Sequence, residues 1–425
     1  MIGAMKAPAR EKAVLVGIAS RAVPRAVAEE HLDELERLLD TAGGVEVARF
    51  VKERAAPDPA TFVGKGAVEE IGAAAADERA KLVVFDEELT PAQTRNLEKH
   101  WDGVRVLDRP GLILDVFASH ARTREARTQV ELARLQYLLP RLAGRYERLS
   151  GLRGGIGARG GAGEQKLELD RRRIRDRIAR LRRDLEKIET AREVRRRGRK
   201  DRFHVAIAGY TNAGKTTLFN RLTQASEYAA DRLFATLDSR AARGASAVLR
   251  DVVFLDTVGF VRKLPPALVA SFRSTLAEIR DADLVLHVLD ASSPRVDEER
   301  RVASEVLAEL GVAEEKVLAV WNKRDLPGAL GPADAVRVSA ATGAGMADLE
   351  RAIARRVRPE TARMRLAIPY ADGRAIAAAR ARCRVIAEED RGDALLLTVA
   401  GERARLGSLS SYLVEESGKA AAAGA

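Results

Sequence analysis

The chain has a single cysteine, Cys383, in 425 residues, so it can form neither an internal disulfide nor a cysteine-based zinc site. A lone thiol suits a reducing cytoplasm. No run of about 18 apolar residues occurs, which excludes a membrane-spanning helix on hydropathy grounds. The segment Met1 to Lys12 is charged and lacks an apolar signal core, which argues against secretion. Aromatic residues make up only 4%, while Ala and Arg are abundant; this compositional bias carries no functional message. Apolar residues are not lacking. At 46% they suffice to bury cores, so the chain is not mainly disordered, and its length corresponds to about two to four domains.

Positive charge is in excess and unevenly placed. The formal net charge is +11, yet residues 170–200 alone hold fifteen basic and six acidic side chains, a local +9. Such a segment fits a contact with RNA, DNA or anionic lipid, and equally a solvated arginine-rich helix.

Hydrophobic periodicity divides the chain into four parts. Residues 1–120 read as a small α/β domain. Strands are expected at Ala13–Gly17, Val45–Val51, Lys81–Phe85 and Val104–Leu107, and helices at His31–Leu39 and Pro91–His100, an alternation that favours a mostly parallel sheet. Residues 121–200 read as a long helical hairpin. Its first helix lies near Thr128–Leu142 and its second near Gln165–Arg197, where Ile174, Ile178, Leu181, Leu185 and Ile188 step by four and three as in a coiled-coil seam. Between them, residues 150–163 are glycine-rich with Arg153 and Arg159 interleaved, which fits an anion-contacting tip or a flexible linker. Residues 201–358 alternate buried-type strands with helix-length segments, the pattern of a mostly parallel α/β sheet. Residues 359–425 read as a small α+β C-terminal domain with a helix near Gly373–Arg382 and a strand near Ala394–Val399.

The chemistry concentrates in the third part. Gly209-Tyr210-Thr211-Asn212-Ala213-Gly214-Lys215-Thr216 matches the phosphate-binding loop G-x-x-x-x-G-K-[ST], with Thr217 next to it in the following helix. Glycines let backbone N–H groups curl around phosphate oxygens, Lys215 supplies a cation for the β- and γ-phosphates, and the Thr216 hydroxyl suits Mg²⁺. Asp256, at the end of an apolar strand, opens Asp256-Thr257-Val258-Gly259. It can hold Mg²⁺, and the Gly259 N–H can meet the γ-phosphate. Thr236, in Phe234-Ala235-Thr236-Leu237-Asp238, offers a mobile second metal ligand. Asn322-Lys323-Arg324-Asp325 follows another strand. The Asp325 carboxylate can accept from N1–H and N2–H of guanine, a donor pair that adenine lacks, while Asn322 and Lys323 brace the base pocket. Ser339-Ala340 can give a backbone N–H to the guanine 6-oxygen. Five elements in this order specify a GTP-hydrolysing P-loop enzyme with Mg²⁺ as cofactor, in which Lys215, Thr236 and Gly259 are the candidate catalytic groups. One expected residue is absent. The position after D-x-x-G, often a water-orienting Gln, is Phe260, so intrinsic hydrolysis is expected to be slow and dependent on a partner.

Nearly the whole chain resembles the HflX family of GTPases. The resemblance rests on Phe62-Val63-Gly64-Lys65-Gly66-Ala67-Val68-Glu69-Glu70-Ile71, Leu89-Thr90-Pro91-Ala92-Gln93-Thr94-Arg95-Asn96-Leu97-Glu98 and Asp108-Arg109-Pro110-Gly111-Leu112-Ile113-Leu114-Asp115. It continues through Gln129-Val130-Glu131-Leu132-Ala133, Tyr137-Leu138-Leu139-Pro140-Arg141-Leu142, Gly154-Gly155-Ile156-Gly157 leading to Asp170-Arg171-Arg172, and the segment Leu233 to Asp238. It departs at Gly160-Gly161-Ala162-Gly163, where the family has a tighter Gly-Pro-Gly, and at Ser239-Arg240, where Pro-Thr is usual. These differences touch loop conformation and switch kinetics rather than nucleotide binding. The resemblance implies binding to the large (50S) ribosomal subunit and GTP-linked dissociation or rescue of 70S ribosomes under stress. The chain is expected to be a cytoplasmic monomer that associates with ribosomes and at most loosely with membrane, and the resemblance implies that ATP is used by some members as well. The basic segment supplies a separate physical reason for an rRNA surface, with Arg153, Arg159, Arg171, Arg172 and Arg175 as candidate contacts. The rival expectation is a nucleotide-regulated RNA-binding or remodelling factor in ribosome assembly. A membrane-bound regulatory role is disfavoured, because no basic amphipathic helix carries an aromatic face.

Overall fold

The computed structural model describes residues 10–142, 161–197, 203–225, 233–234, 240–250, 252–263, 273–329, 331–357, 362–401 and 407–417. They form two compact units, residues 1–246 with 250–344 and residues 247–249 with 345–425. Among the described residues no helix is long and apolar enough to cross a membrane.

The first unit opens with four parallel strands: β1 (Glu11–Ala19), β2 (Gly44–Glu53), β3 (Leu82–Phe85) and β4 (Arg105–Asp108), in the order β2-β1-β3-β4. Side chains alternate across a pleated sheet, and the sequence exploits this period of two. Ala13, Leu15, Leu82 and Val84 pack on one face against Leu32, Leu35, Leu38, Leu112 and Val116, from α1 (Arg25–Thr41) and α4 (Arg109–His120). Val14, Val16, Val83 and Phe85 pack on the other against Val68, Ile71 and Leu97, from α2 (Lys65–Asp77) and α3 (Pro91–His100). Helix α3 starts at a capping box. The Thr90 hydroxyl accepts from Gln93 N–H at 3.2 Å, and the Gln93 side chain accepts from Thr90 N–H at 2.9 Å.

The helical hairpin follows. Helix α5 (Arg124–Leu138) runs into a short 3₁₀ turn (Leu139–Arg141), and α6 spans Gly161–Arg197, 37 residues or about 55 Å at 1.5 Å per residue. It begins four residues earlier than the sequence spacing indicates, taking up Gly161 and Gly163. The seam forms as its four-three spacing requires. Ile178 and Leu181 are buried against Leu132, flanked by Ile174, Leu185, Leu135 and Leu139. Arg177 adds a two-pronged pair to Glu131 at 2.7 and 2.8 Å. The expected tip, with Arg153 and Arg159, lies outside the described residues.

One buried carboxylate fixes the hairpin to the sheet. Asp108 caps α4 through Gly111 N–H (2.9 Å) and also accepts from Leu89 N–H (3.1 Å), the Tyr137 hydroxyl (2.6 Å) and Arg141 Nη2 (3.0 Å). Burial, reinforced by the Asp108 charge, pushes the Tyr137 phenol well above its ordinary value, so it stays a donor.

The second sheet of this unit has six strands, ordered β10-β9-β8-β5-β7-β6. They are β5 (Phe203–Gly209), β6 (Arg240–Arg243), β7 (Val252–Asp256), β8 (Leu284–Asp290), β9 (Val317–Asn322) and β10 (Val336–Arg337). All neighbours are parallel except β6, which runs antiparallel to β7 at the edge. Around it lie α7 (Lys215–Thr223), α8 (Arg273–Arg280) and α9 (Val296–Glu309). In the second unit, α10 (Met346–Val357) precedes β11 (Ala362–Pro369), α11 (Gly373–Arg382), β12 (Arg384–Asp390), β13 (Ala394–Gly401) and β14 (Leu413–Ser417). The strands make an antiparallel sheet, β12-β13-β11-β14, with Met364, Leu366, Ile368, Ala379, Leu397 and Val399 in its core. The fold class is the expected one: along the chain a P-loop α/β domain is preceded by a small α/β domain with a long helical hairpin and followed by a small α+β domain.

Asp108→Asn keeps the cap but leaves the Arg141 guanidinium without its buried counter-charge. It is expected to destabilise the first sheet and hairpin by about 3 kcal/mol. Urea unfolding followed by Trp101 fluorescence in a Trp321→Phe background checks this, and an unchanged midpoint refutes it.

Candidate nucleotide site

Strand β5 delivers the phosphate loop and α7 receives it. Gly209 and Gly214 have φ of 149° and 91°, and both are pinned by close approach. A Cβ on Gly209 would meet the Val288 carbonyl oxygen at 2.2 Å, and one on Gly214 would meet Asn322 Nδ2 at 2.3 Å. Only glycine permits that backbone path. Tyr210, Thr211 and Ala213 are buried within the loop, Asn212 takes a left-handed φ of 63°, and Thr216 and Thr217 lie in the first turn of α7. Lys215 is buried and donates from Nζ to the Tyr210 carbonyl at 2.7 Å. Burial pushes its pKa down to about 8 against the opposing pull of Asp256, so the ammonium sits where an incoming anion stabilises it. The Thr211 hydroxyl is buried with no hydrogen-bond partner among the described residues, a polar vacancy that a phosphate oxygen fits.

Thr216 and Asp256 come together as a metal site needs. Thr216 Oγ1 donates to Asp256 Oδ2 at 2.8 Å, and Asp256 is fully buried at the end of β7. One hydroxyl and one carboxylate, completed by phosphate and water oxygens, are the hard oxygen donors Mg²⁺ prefers. The described residues contain no cluster of three or more His, Cys, Asp or Glu side chains arranged to hold a metal by themselves. Thr236, the expected second ligand, lies outside the described residues.

Gly259 lies directly over the loop: a Cβ there would meet Lys215 Nζ at 2.8 Å and Thr211 Cα at 3.0 Å. The next residue explains the close fit. Phe260 donates its N–H to the Gly209 carbonyl at 2.9 Å, its carbonyl accepts from Thr211 N–H at 2.7 Å, and its ring is buried in the core. A ring anchored this way cannot orient water, as the sequence indicates.

On the base side, Asn322 bridges two loops. Its Nδ2 donates to the Ala213 carbonyl at 2.8 Å, and its Oδ1 accepts from Ala340 N–H at 2.9 Å. The N–H that sequence reasoning aims at the guanine 6-oxygen is therefore held by Asn322. Lys323 pairs with Asp290 at 2.7 Å, Ser339 is buried, and Asp325 is exposed. Of the hairpin arginines, Arg171 and Arg175 pair with Glu168 on their own helix at 4.0 and 3.3 Å, and Arg172 is exposed. Exposed pairs of this kind are weak and leave the charge available.

Sequence reasoning missed a buried ion network that ties this site to the first sheet. Glu34 on α1 accepts from the Tyr210 hydroxyl at 2.8 Å and from Arg262 at 2.9 Å, and it pairs with Arg109. Arg109, itself fully buried, also reaches Asp86 at 2.6 Å, and Lys263 binds both Asp86 and Glu87. Arg262 N–H donates to the Tyr210 hydroxyl at 2.9 Å, and Arg262 Nη1 pairs with Glu298 at 3.0 Å. Burial would raise the Glu34 and Asp86 carboxyls. Their partners overcome it, Arg109 and Arg262 around Glu34, and a hydrogen bond from His31 together with Arg109 and Lys263 beside Asp86, and both end well below the usual carboxylate range. The local signal was slight: a Tyr in a variable loop position and an Arg-Lys pair just past D-x-x-G.

Three family models match in tandem: "GTP-binding GTPase N-terminal" over residues 29–118, "GTP-binding GTPase Middle Region" over 120–199, and "50S ribosome-binding GTPase" over 204–323. The GTPase HflX of Caldanaerobacter subterraneus subsp. tengcongensis is 43% identical over 384 residues, covering 89% of this chain and 88% of that one. The chain belongs to the HflX family of GTPases. The HflX of Escherichia coli K12 is 45% identical over 356 residues (81% of this chain, 83% of that), and that of Magnetococcus marinus is 40% identical over 417 residues (96% of each). As an HflX-family member the chain is a P-loop enzyme that hydrolyses GTP, and the buried network lies between its family-typical N-terminal sheet and its GTPase core.

Glu34→Gln removes the central negative charge while keeping shape, so Arg109 and Arg262 stay buried without it. The expected cost is about 3–5 kcal/mol, read as a lower unfolding midpoint and faster proteolysis. In the wild type, the lowered carboxyl pKa values make the network's contribution complete above about pH 4, the unfolded-state value, and lose it as pH falls below that. An acid titration in which the wild type and Glu34→Gln lose stability in parallel would contradict this assignment.

Proposed function

We propose that this HflX-family chain is a GTP-driven switch that binds the large ribosomal subunit in the cytoplasm and promotes dissociation or rescue of 70S ribosomes. The observation that carries the reading is the pairing, in one chain, of a GTPase core matching the family described as a 50S ribosome-binding GTPase with the arginine-rich α6. Phosphate contacts from arginine position a protein on RNA without reading sequence. In this reading residues 1–120 and 121–200 make the ribosome-facing part, 201–358 the switch and 359–425 an appendage. The tip arginines Arg153 and Arg159 join Arg171, Arg172 and Arg175 on rRNA.

Within the switch, Lys215 and the loop N–H groups hold the β- and γ-phosphates, and the Gly259 N–H meets the γ-phosphate. Thr216, Asp256 and Thr236 would hold Mg²⁺, which when bound neutralises charge developing on the phosphate oxygens. Asp325 selects guanine. Phe260 leaves the attacking water without a side-chain partner, so turnover is slow until the ribosome supplies or positions one.

Co-sedimentation with 50S and 70S particles in GTP analogue, GDP or no nucleotide tests the reading. Binding strongest with the GTP analogue, together with turnover raised sharply by 50S subunits, supports it. Turnover raised equally by any RNA favours the RNA-remodelling alternative. Charge reversal at Arg171, Arg172 and Arg175 is expected to weaken 50S binding and flatten its salt dependence by up to about three log-log units. Asp325→Asn exchanges acceptor for donor at the base edge. It is expected to lose GTP affinity by about 100-fold or more while gaining xanthosine triphosphate, and unchanged GTP affinity in a titration defeats the assignment.

A further inference from the structure

Strand β4 ends the first sheet, so its outer edge faces no further strand of that sheet. A cavity of about 180 Å³ lies beside it, bounded by β4, α3, α4, α5 and the 3₁₀ turn that follows α5. It shares no lining residue with the nucleotide site or with the Glu34 network. Folded interiors have few voids larger than a water molecule, and an apolar cavity of about 150 Å³ takes a molecule the size of benzene. A hollow of this size has room for a small organic molecule.

Its lining combines two chemistries. Val106, Leu107, Leu114 and Leu138 supply an apolar part, and beside them stand four arginines and two carboxylates, an excess of two positive charges. Arg134 on α5 donates from Nη2 to Asp115 on α4 at 3.1 Å, and Arg105 on β4 donates from Nη2 to Glu11 at 3.1 Å. Among the described residues these are the only side-chain hydrogen bonds of the two guanidiniums, each of which carries five N–H donors. Both side chains are about half exposed, so a solute reaches them. Burial raises the Asp115 carboxyl although Arg134 and Arg105 pull it down. Charge is therefore poorly hydrated here, a setting that strengthens a contact between a guanidinium and an anion.

We propose that this cavity is a binding site for a small organic carboxylate with a compact apolar body. The body fills the space against Leu107, Leu114 and Leu138, and the carboxylate takes the open N–H groups of Arg105 and Arg134. The planar fork of a guanidinium matches the two oxygens of a carboxylate. A bare phosphate satisfies the same fork but leaves the apolar part unfilled. The proposal does not depend on how the GTPase meets the ribosome.

The test is calorimetric titration of the full chain with benzoate, at saturating Mg²⁺ and GDP so that the phosphate loop is occupied. Benzyl alcohol supplies the body without the charge, while acetate and inorganic phosphate supply charge without the body. Benzoate is expected to saturate one site per chain and to bind at least about tenfold more tightly than any of the three. The double variant Arg105→Gln, Arg134→Gln is expected to weaken benzoate about tenfold or more and to leave GDP affinity unaltered. Leu138→Phe keeps both arginines and fills the apolar space, so it too should remove benzoate binding, which keeps the test decisive if the double variant fails to fold. A wild-type chain with no saturable benzoate binding marks the cavity as solvent space and overturns the proposal. Benzyl alcohol binding as tightly as benzoate marks a merely apolar hole, and phosphate binding more tightly marks a phosphoryl site. Benzoate binding unaltered in both variants places the ligand elsewhere. Each of these results overturns the proposal.

Discussion

The Glu34 carboxylate is the point on which the rest of the first unit depends. One oxygen meets Arg109 at the start of α4, and the other meets the hydroxyl of Tyr210 and the guanidinium of Arg262. Tyr210 belongs to the phosphate loop, and Arg262 lies three residues past the D-x-x-G glycine. One fully desolvated anion therefore touches the scaffold, the loop that grips phosphate and the segment that senses it. Its charge is sustained only because the cations outweigh the cost of burial. A group in that position is stable with all its partners and very unstable without one of them, so the elements it joins cannot drift independently.

The N-terminal sheet explains why the network sits where it does. In an open parallel α/β sheet, the crevice beyond the carboxyl ends of the strands opens where the strand order reverses, and ligands bind there. Here the reversal falls between β1 and β3. Asp86, immediately after β3, takes Lys263 there, and Arg109 follows β4. The crevice that other domains of this build use for a small molecule is filled by Arg262 and Lys263 from the GTPase core.

What the sequence made legible was what it encodes locally. The phosphate loop, D-x-x-G and N-K-x-D are each a few consecutive residues, and the structure brings them to one end of the second sheet. The hairpin seam was equally plain, because its four-three spacing is a helix property. Strand β6 was not, since Arg-Ala-Ala-Arg has no apolar pattern and pairs at the edge only because β7 offers a partner. The Glu34–Arg262 pair spans 228 residues, and nothing near either residue points to the other. Asn322 shows a subtler limit. Its motif gave its place, while its second bond, to the Ala340 N–H, depends on how two loops lie in space.

Helix α6 ends at Arg197 and β5 begins at Phe203, so the longest helix among the described residues lies five residues ahead of the strand that carries the phosphate loop. It is about 55 Å long, and the seam with α5 supports its stretch from Ile174 to Leu185. Over that length, a rotation of about 6° at the strand end corresponds to about 6 Å at the far end, roughly one helical turn.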